Sequence, residues 1–174
     1  MGIIVLVIIT VLLWGVSTVN GFKKKEIKID ESLSGIEVAL TKRYDLLTKL
    51  LDTAKGFMKH EKEVVTETIK LRNGMSVGEL NEAEAKMSRL SGSIFAVAEN
   101  YPELKSDKVF AELADGIKDA EEHLQAARRV YNSNVTAYNT AIAMFPASLL
   151  AGGRTPKAFF EAEAHKRADV KMEF

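Results

Sequence analysis

Three histidines are the side chains in this sequence that could bind a metal ion or transfer a proton near neutral pH. They are His60, His123 and His165. A di-iron site in a helical bundle needs a glutamate three residues before each ligating histidine, so that both project from one helix face. The three corresponding positions hold apolar residues, Phe57, Ala120 and Ala162. The histidines therefore do not match a di-iron site.

The pair His60 and Glu61 begins like the zinc-binding motif of metalloproteases, which places a second histidine four residues after the first. Val64 occupies that position, so the motif is incomplete. We therefore interpret His60 and Glu61 as polar surface of a helix.

The other candidates for chemistry are also incomplete. The chain has no cysteine, which excludes thiolate nucleophiles and cysteine-ligated metals. Ser91 lies inside a predicted helix and not at the strand-to-helix turn of a nucleophile elbow. The glycines at 74, 78, 152 and 153 lack the lysine and the spacing of a phosphate-binding loop. We predict a non-enzymatic protein with no catalytic, cofactor-binding or metal-binding residues.

Charge is distributed unevenly along the 174 residues. The chain has 24 basic and 24 acidic side chains, and none of them falls within the first 22 residues. The zero net charge disfavours nucleic acid as a partner, since such binding requires an excess of lysine and arginine. The sequence therefore predicts an uncharged N-terminal segment followed by a charged body of single-domain size.

The uncharged segment predicts a transmembrane anchor over residues 1–22. About 20 helical residues span the roughly 30 Å hydrocarbon core of a bilayer, and residues 2–22 meet that length. A cleaved signal peptide is the alternative, but no basic residue precedes the apolar run and no Ala-x-Ala pattern follows it. We expect residues 2–22 to contact the lipid bilayer.

A basic juxtamembrane segment, residues 23–32, follows the anchor. Its lysines are the candidate contacts for lipid headgroups: Lys23, Lys24, Lys25 and Lys28. The positive-inside rule then predicts a short N-terminus outside the cell membrane and a cytoplasmic body. Residues 26–30 look extended, which argues against a rigid rod connecting the anchor to the body.

Apolar residues in the body recur at spacings of three and four, the period of one helix face. Three such seams run over residues 29–58, 80–101 and 110–145, and no stretch alternates with period two. Residues 56–71 also have a helical pattern, and a loop follows at residues 73–78. We predict an all-α fold, an antiparallel bundle of three to four long helices over residues 33–147.

Caps and prolines set the predicted helix ends. Ser76 and Glu79 form a capping-box pattern, and Ser106 with Asp107 suits the start of the third helix. Prolines 102 and 146 end the second and third helices. A C-terminal tail, residues 148–174, is expected to carry a short helix that begins at Thr155 and Pro156.

Four residues are candidate partner contacts: Asn132, Asn139, Phe159 and Phe160. The asparagines each follow a seam tyrosine, Tyr131 or Tyr138, and could face a partner helix or bond a neighbouring helix of the same chain. The two phenylalanines could form an exposed interface or fold back onto the bundle. Arg43 and Arg128 lie beside the seams and could pair with Glu99 or Glu121, or their aliphatic stems could extend over the bundle edge with the guanidinium groups in water.

Several short blocks occur in an order that resembles the LemA family of bacterial membrane-anchored proteins. The blocks are 40–47 (LTKRYDLL), 55–61 (KGFMKHE), 98–105 (AENYPELK), 127–132 (ARRVYN), 137–142 (AYNTAI) and 145–146 (FP). Thr48 and Lys49 depart from the family, which usually has Pro-Asn there. The resemblance implies a membrane helix with a short external N-terminus and an antiparallel helical bundle, and it brings no enzymatic activity with it.

The leading functional hypothesis is a membrane-tethered bundle that scaffolds or organises partners at the bacterial cell membrane. The alternative is an accessory or signalling subunit of a membrane complex. A homo-oligomer and an unidentified membrane or cytoplasmic protein are the expected partners, and only the scaffold hypothesis predicts substantial self-assembly.

Overall fold

A computed structural model describes residues 1–57, 69, 71–72 and 74–160. It contains four α-helices and one short 3-10 helix: α1 (Gly2–Phe57), α2 (Val77–Ala98), α3 (Pro102–Lys105), α4 (Lys108–Ala143) and the 3-10 helix Ala147–Leu150. No strand occurs in this part of the chain, so the predicted all-α class is confirmed. His60, Glu61, His165 and most of the predicted 56–71 helix lie outside the described residues.

Helix α1 runs without interruption from Gly2 to Phe57, so the prediction of an extended segment at residues 26–30 is wrong. Phe22 and Ile29 explain the difference, because both are almost completely buried and lie two helical turns apart on one face. Burial of these two side chains adds tertiary packing to the intervening residues, whose lysines and glutamate are themselves good helix formers.

The chain divides into two compact units. The first unit comprises Met1–Gly35 and Ala127–Phe159. Its buried apolar and aromatic residues come from α1 and α4: Phe22, Ile29, Tyr131, Val135, Tyr138 and Ile142. The helices pair antiparallel in this unit, since Glu26 contacts Tyr138 and the later residue Ser32 contacts the earlier residue Asn134.

The second unit comprises Ile36–Ala126 and Phe160–Phe174, of which residues beyond Phe160 lie outside the description. Its core follows the predicted seams and includes Ile36, Leu40, Leu47, Leu51, Ala54, Leu80, Ala83, Met87, Leu90, Ile94, Ala98, Phe110, Ile117, Ala120 and Leu124. The rings of Phe95 and Phe110 meet edge to face, 6.2 Å between centroids. A Cβ on Gly116 would lie 3.3 Å from the Leu46 side chain, so α4 packs closely on α1 there and a larger residue would require Leu46 to shift.

The predicted capping box is confirmed, and of the two residues predicted for the start of the third long helix, Asp107 and not Ser106 supplies the cap. At the start of α2 the Ser76 hydroxyl accepts from the Glu79 N–H at 3.3 Å, and the Glu79 carboxylate accepts from the Ser76 N–H at 2.8 Å. At the start of α4 the Asp107 carboxylate accepts from the Phe110 N–H at 2.9 Å. Helix α4 ends at Ala143, so Phe145 lies beyond its last turn and is 79% exposed. Phe145 was predicted to be a seam residue, and that prediction is wrong.

The segment that follows the 3-10 helix turns back towards the helices. Gly152 and Gly153 adopt positive φ angles of 57° and 76°, which residues with a side chain rarely adopt. Residues 154–160 contain no helix. The predicted start of a short helix at Thr155 and Pro156 is therefore wrong for the described part of the tail.

Candidate interaction site around Glu26

Glu26 lies one helical turn after Phe22, the last residue of the uncharged segment. Its carboxylate accepts three side-chain hydrogen bonds. The Tyr138 hydroxyl donates to Oε1 at 3.3 Å, and Arg154 Nε donates to the same oxygen at 3.2 Å. Lys23 Nζ donates to Oε2 at 3.3 Å. We call these four residues the Glu26 cluster. It joins α1, α4 and the tail within the first compact unit.

Arg154 reaches Glu26 because the two glycines before it turn the chain. Its backbone N–H and its Nη1 both donate to the Ala151 carbonyl, at 3.1 and 3.0 Å. Its guanidinium lies 5.3 Å from the centroid of the Phe22 ring, a distance at which a cation is attracted to an aromatic face. Arg154 therefore binds a carboxylate and covers a buried aromatic ring with the same side chain.

The charges of the cluster shift the pKa of Glu26. Partial burial alone would raise this pKa, but the hydrogen bonds and positive charges of Lys23 and Arg154 outweigh it, and the pKa is lowered. Burial raises the pKa of Tyr138, and the neighbouring Glu26 carboxylate raises it further. Tyr138 therefore remains a hydroxyl donor while Glu26 remains an ionised acceptor across the neutral pH range.

A second set of contacts holds the tail against α4. The Asn139 amide donates to the Lys157 carbonyl at 3.0 Å and accepts from the Lys157 N–H at 2.8 Å. The Tyr131 hydroxyl donates to the Ala158 carbonyl at 3.0 Å. These bonds hold the backbone at Lys157 and Ala158 against α4, in a segment that forms no helix.

Asn134 makes a third connection between α4 and α1. Its Nδ2 donates to the Lys28 carbonyl and to the Ser32 hydroxyl, both at 3.2 Å. The Ser32 hydroxyl in turn donates to the Lys28 carbonyl at 2.8 Å. Side chains on α4 thus bond α1 at successive turns after the uncharged segment.

The second unit contains a buried arginine. Arg43 is 5% exposed, and its Nη2 donates to the Ser88 hydroxyl at 3.0 Å. Its Nη1 lies 3.0 Å from Glu121 Oε2. The predicted pairing of Arg43 with Glu121 is confirmed, and it connects residues of α1, α2 and α4 within that unit.

A comparison with protein-family models decides the family. The model of the LemA family matches residues 32–174, which is most of the chain. The chain belongs to the LemA family. Its relatives include Protein LemA of Metamycoplasma hominis, which is 25% identical over 158 residues, covering 87% of this chain and 72% of the relative. The resemblance found in the sequence is confirmed.

The α1 members of the Glu26 cluster precede the matched range, whereas Tyr138 and Arg154 lie inside it. Glu26 and Arg154 were missed by the sequence analysis of this LemA-family chain. One feature of the sequence could have indicated Glu26. It is the single acidic residue among four lysines directly after an apolar run, where a carboxylate is expected to have a partner.

The predicted headgroup lysines differ in their surroundings. Lys23 pairs with Glu26, although its side chain is 67% exposed. Lys24 and Lys28 are exposed, and Lys25 is partly buried. Their contact with lipid headgroups remains a prediction.

The predicted partner contacts also differ from one another. Asn139 bonds the backbone of Lys157, so its amide serves an intrachain contact. Asn132 is partly buried. Phe159 is 47% exposed and Phe160 is 2% exposed. Because Phe160 is buried in this conformation, its ring is not accessible to a partner. Partner contacts by Asn132, Asn139 and Phe159 remain predictions.

The described residues of the LemA-family chain contain no group of three or more His, Asp or Glu side chains arranged to hold a metal ion. A cavity of about 300 Å³ lies beside the start of α2, and its charged lining residues are Arg72, Glu79, Glu82 and Lys86. Arg72 and Glu79 pair with each other, and the four charges balance. The lining therefore does not favour a charged ligand of either sign.

Proposed function

We propose that this LemA-family chain is a single-pass membrane protein whose cytoplasmic helical body scaffolds partners at the bacterial cell membrane, without catalysing a reaction itself. One observation carries the proposal. Helix α1 is long and apolar enough near its N-terminus to cross a membrane, and the same helix continues into the packed body. The anchor therefore continues into the packed residues of the first compact unit without a break in the helix.

The apolar side chains in the first half of the anchor are exposed. The large hydrophobic residues from Ile3 to Leu13 are at least 51% exposed, whereas Phe22 is 2% exposed. Exposed apolar surface costs about 25 cal/mol per Å² in water, so a helix of this kind needs an apolar environment. The lysines that follow it support a cytoplasmic position for the body.

The shape of α4 supports a scaffold. It is 36 residues long, which gives a length of about 54 Å, and every third or fourth residue faces the core. Its remaining faces carry exposed charged and polar residues along the whole helix. A long polar surface fixed to a membrane can hold partners or further copies side by side.

The tethering and its orientation can be tested by cysteine labelling, because the natural chain has no cysteine. Gly2→Cys and Ser133→Cys place one thiol at an exposed position at either end of the first compact unit. In intact cells a membrane-impermeant maleimide is expected to label the first variant and not the second, and lysis should make both reactive. Labelling of Ser133→Cys in intact cells would contradict the orientation, and release of the chain by alkaline carbonate would contradict the anchor.

The uninterrupted helix also favours a second candidate, an accessory or signalling subunit of a membrane complex. The Glu26 cluster fixes α1 to α4 and to the tail, so a displacement of the anchor would be transmitted to these elements without a flexible linker. This candidate predicts co-purification of the full chain with one partner at a fixed stoichiometry. A scaffold predicts assemblies of many copies with variable amounts of other proteins.

A further inference from the structure

We propose that a second element of this chain enters the bilayer beside the anchor helix: the segment of residues 144–150, which we call the apolar ledge. The partner that we propose for it is the phospholipid bilayer, at the depth of the upper acyl chains. This inference rests on the proposed function, since it requires α1 to be in a membrane.

The apolar ledge exposes large hydrophobic side chains close together. Met144 is 60% exposed, Phe145 is 79% exposed and Leu149 is 75% exposed, all within six residues. Other exposed apolar residues of the body, such as Val109 and Val130, occur singly on α4. Clustered apolar exposure of this kind marks a contact surface, whereas single exposed residues are ordinary.

The position of the ledge along α1 identifies the contact as lipid. Leu150 Cδ1 lies 3.9 Å from the position that a Cβ on Gly15 would take. Gly15 lies eight residues before Lys23, which is about 12 Å along a helix. With the uncharged segment in the hydrocarbon core, Gly15 lies seven residues before Phe22, or about 10 Å inside the cytoplasmic edge of that core, so Leu150 reaches the upper acyl chains, where a cytoplasmic protein partner would not reach.

The backbone of the ledge meets the requirement for entering lipid, where water is not available to unpaired polar groups. The N–H groups of Met144, Ser148 and Leu149 donate to the carbonyls of Thr140, Met144 and Pro146 at 2.8–3.2 Å. Pro146 has no N–H to satisfy. The turn therefore satisfies several of its own backbone N–H groups, which lowers the cost of moving it out of water.

Positive charge lies where the ledge would leave the membrane. Arg154 follows the ledge by four residues and covers Phe22 on α1, and the lysines at 23, 24 and 25 follow on that helix. Basic side chains at this depth interact favourably with anionic headgroups. The ledge and the end of the anchor thus form one continuous surface, apolar towards the membrane centre and basic towards the cytoplasm.

The test is the depth of single labelled cysteines in the full-length protein. An environment-sensitive fluorophore is attached to the cysteine of one of three variants: Leu149→Cys, Val11→Cys or Val130→Cys. Each labelled protein is placed in nanodiscs that hold one chain and contain phospholipids with a quencher on the upper acyl chain. Val11 reports the anchor, and Val130 is a matched exposed apolar residue of the body. We expect strong quenching at Leu149, quenching at Val11 that increases when the quencher is moved deeper, and none at Val130.

The outcomes separate this inference from the function on which it rests. Quenching at Val11 without quenching at Leu149 would overturn the ledge and leave the anchor intact. Absence of quenching at Val11 would overturn both. A fluorophore at Leu149 that becomes shielded only when two chains share a nanodisc, without lipid quenching, would show that a second copy covers the ledge and would also overturn the inference.

Discussion

Arg154 Nε and Glu26 Oε1 lie 3.2 Å apart, although 128 positions separate the two residues in the sequence. Both side chains are partly buried, with 24% and 21% of their surfaces exposed. The contact closes the tail onto α1 one turn after the uncharged segment ends. The place where the proposed anchor enters the body is therefore fixed by an ion pair and not left to a flexible linker.

Replacement of Arg154 tests this connection. Arg154→Met keeps the aliphatic stem over Phe22 but removes the ion pair, so we expect a loss of about 1–2 kcal/mol in the free energy of unfolding. The measurement is denaturant unfolding of the full chain in detergent, followed by circular dichroism. Arg129→Met, at an exposed position on α4, is the matched control and should change stability little. Equal stability of the two variants would contradict a structural role for Arg154.

The lowered pKa of Glu26 predicts a pH dependence with a defined sign. A carboxyl whose pKa is lower in the folded state stabilises the fold above its unfolded pKa, about 4.3, and this stabilisation is lost as the pH falls through the folded value. The stability difference between the natural chain and Glu26→Gln should therefore be largest near neutral pH and should shrink below about pH 4. Glu122→Gln, exposed on α4, should follow the natural chain throughout. A Glu26→Gln difference that stays constant into acid would refute the shift.

Two substitutions of Tyr138 distinguish the contribution of its buried ring to stability from that of its hydroxyl hydrogen bond. It is 1% exposed, and its hydroxyl donates to Glu26. Tyr138→Ala removes a buried ring and should cost about 3–5 kcal/mol, whereas Tyr138→Phe removes only the hydroxyl and should cost roughly 0.5–1.5 kcal/mol. Thermal unfolding of both variants beside Phe159→Ala, a half-exposed ring, measures the two contributions. An unchanged melting midpoint for Tyr138→Ala would place the ring at the surface.

Asn139 is expected to act locally. Asn139→Ala removes both amide bonds to Lys157, so amide hydrogen exchange of Lys157 should become much faster while the global melting temperature changes little. Asn134→Ala removes bonds to α1 and should leave exchange at Lys157 unchanged. Unaltered protection of Lys157 in Asn139→Ala would mean that other contacts hold the tail.

The helical pattern of the sequence predicts most of the core, because a periodic apolar seam and its caps are local features. Tyr131 and Tyr138 follow that seam and are buried, and the capping box of Ser76 and Glu79 is formed. The Glu26–Arg154 pair could not be predicted in this way. The pair forms only because two segments that are distant in the sequence meet in the fold. The sequence contains 24 acidic and 24 basic side chains, and no local pattern indicates which of them form ion pairs.

Two of the three incorrect predictions of local structure concern segments in which tertiary contacts contribute to the conformation. Burial of Phe22 and Ile29 adds tertiary packing to the helical residues between them. In the tail, Asn139 binds both backbone groups of Lys157 in a segment that forms no helix, although its Thr-Pro sequence favours a helix start. Neither contact is visible in a window of neighbouring residues.

The central claim is that the membrane-tethered chain assembles into a scaffold. Its most direct test is light scattering of the full-length protein in large nanodiscs over a range of protein concentrations. The account predicts a protein mass that is a defined multiple of the 19.2 kDa chain. A mass of one chain at every concentration would contradict the scaffold and would favour an accessory or signalling subunit.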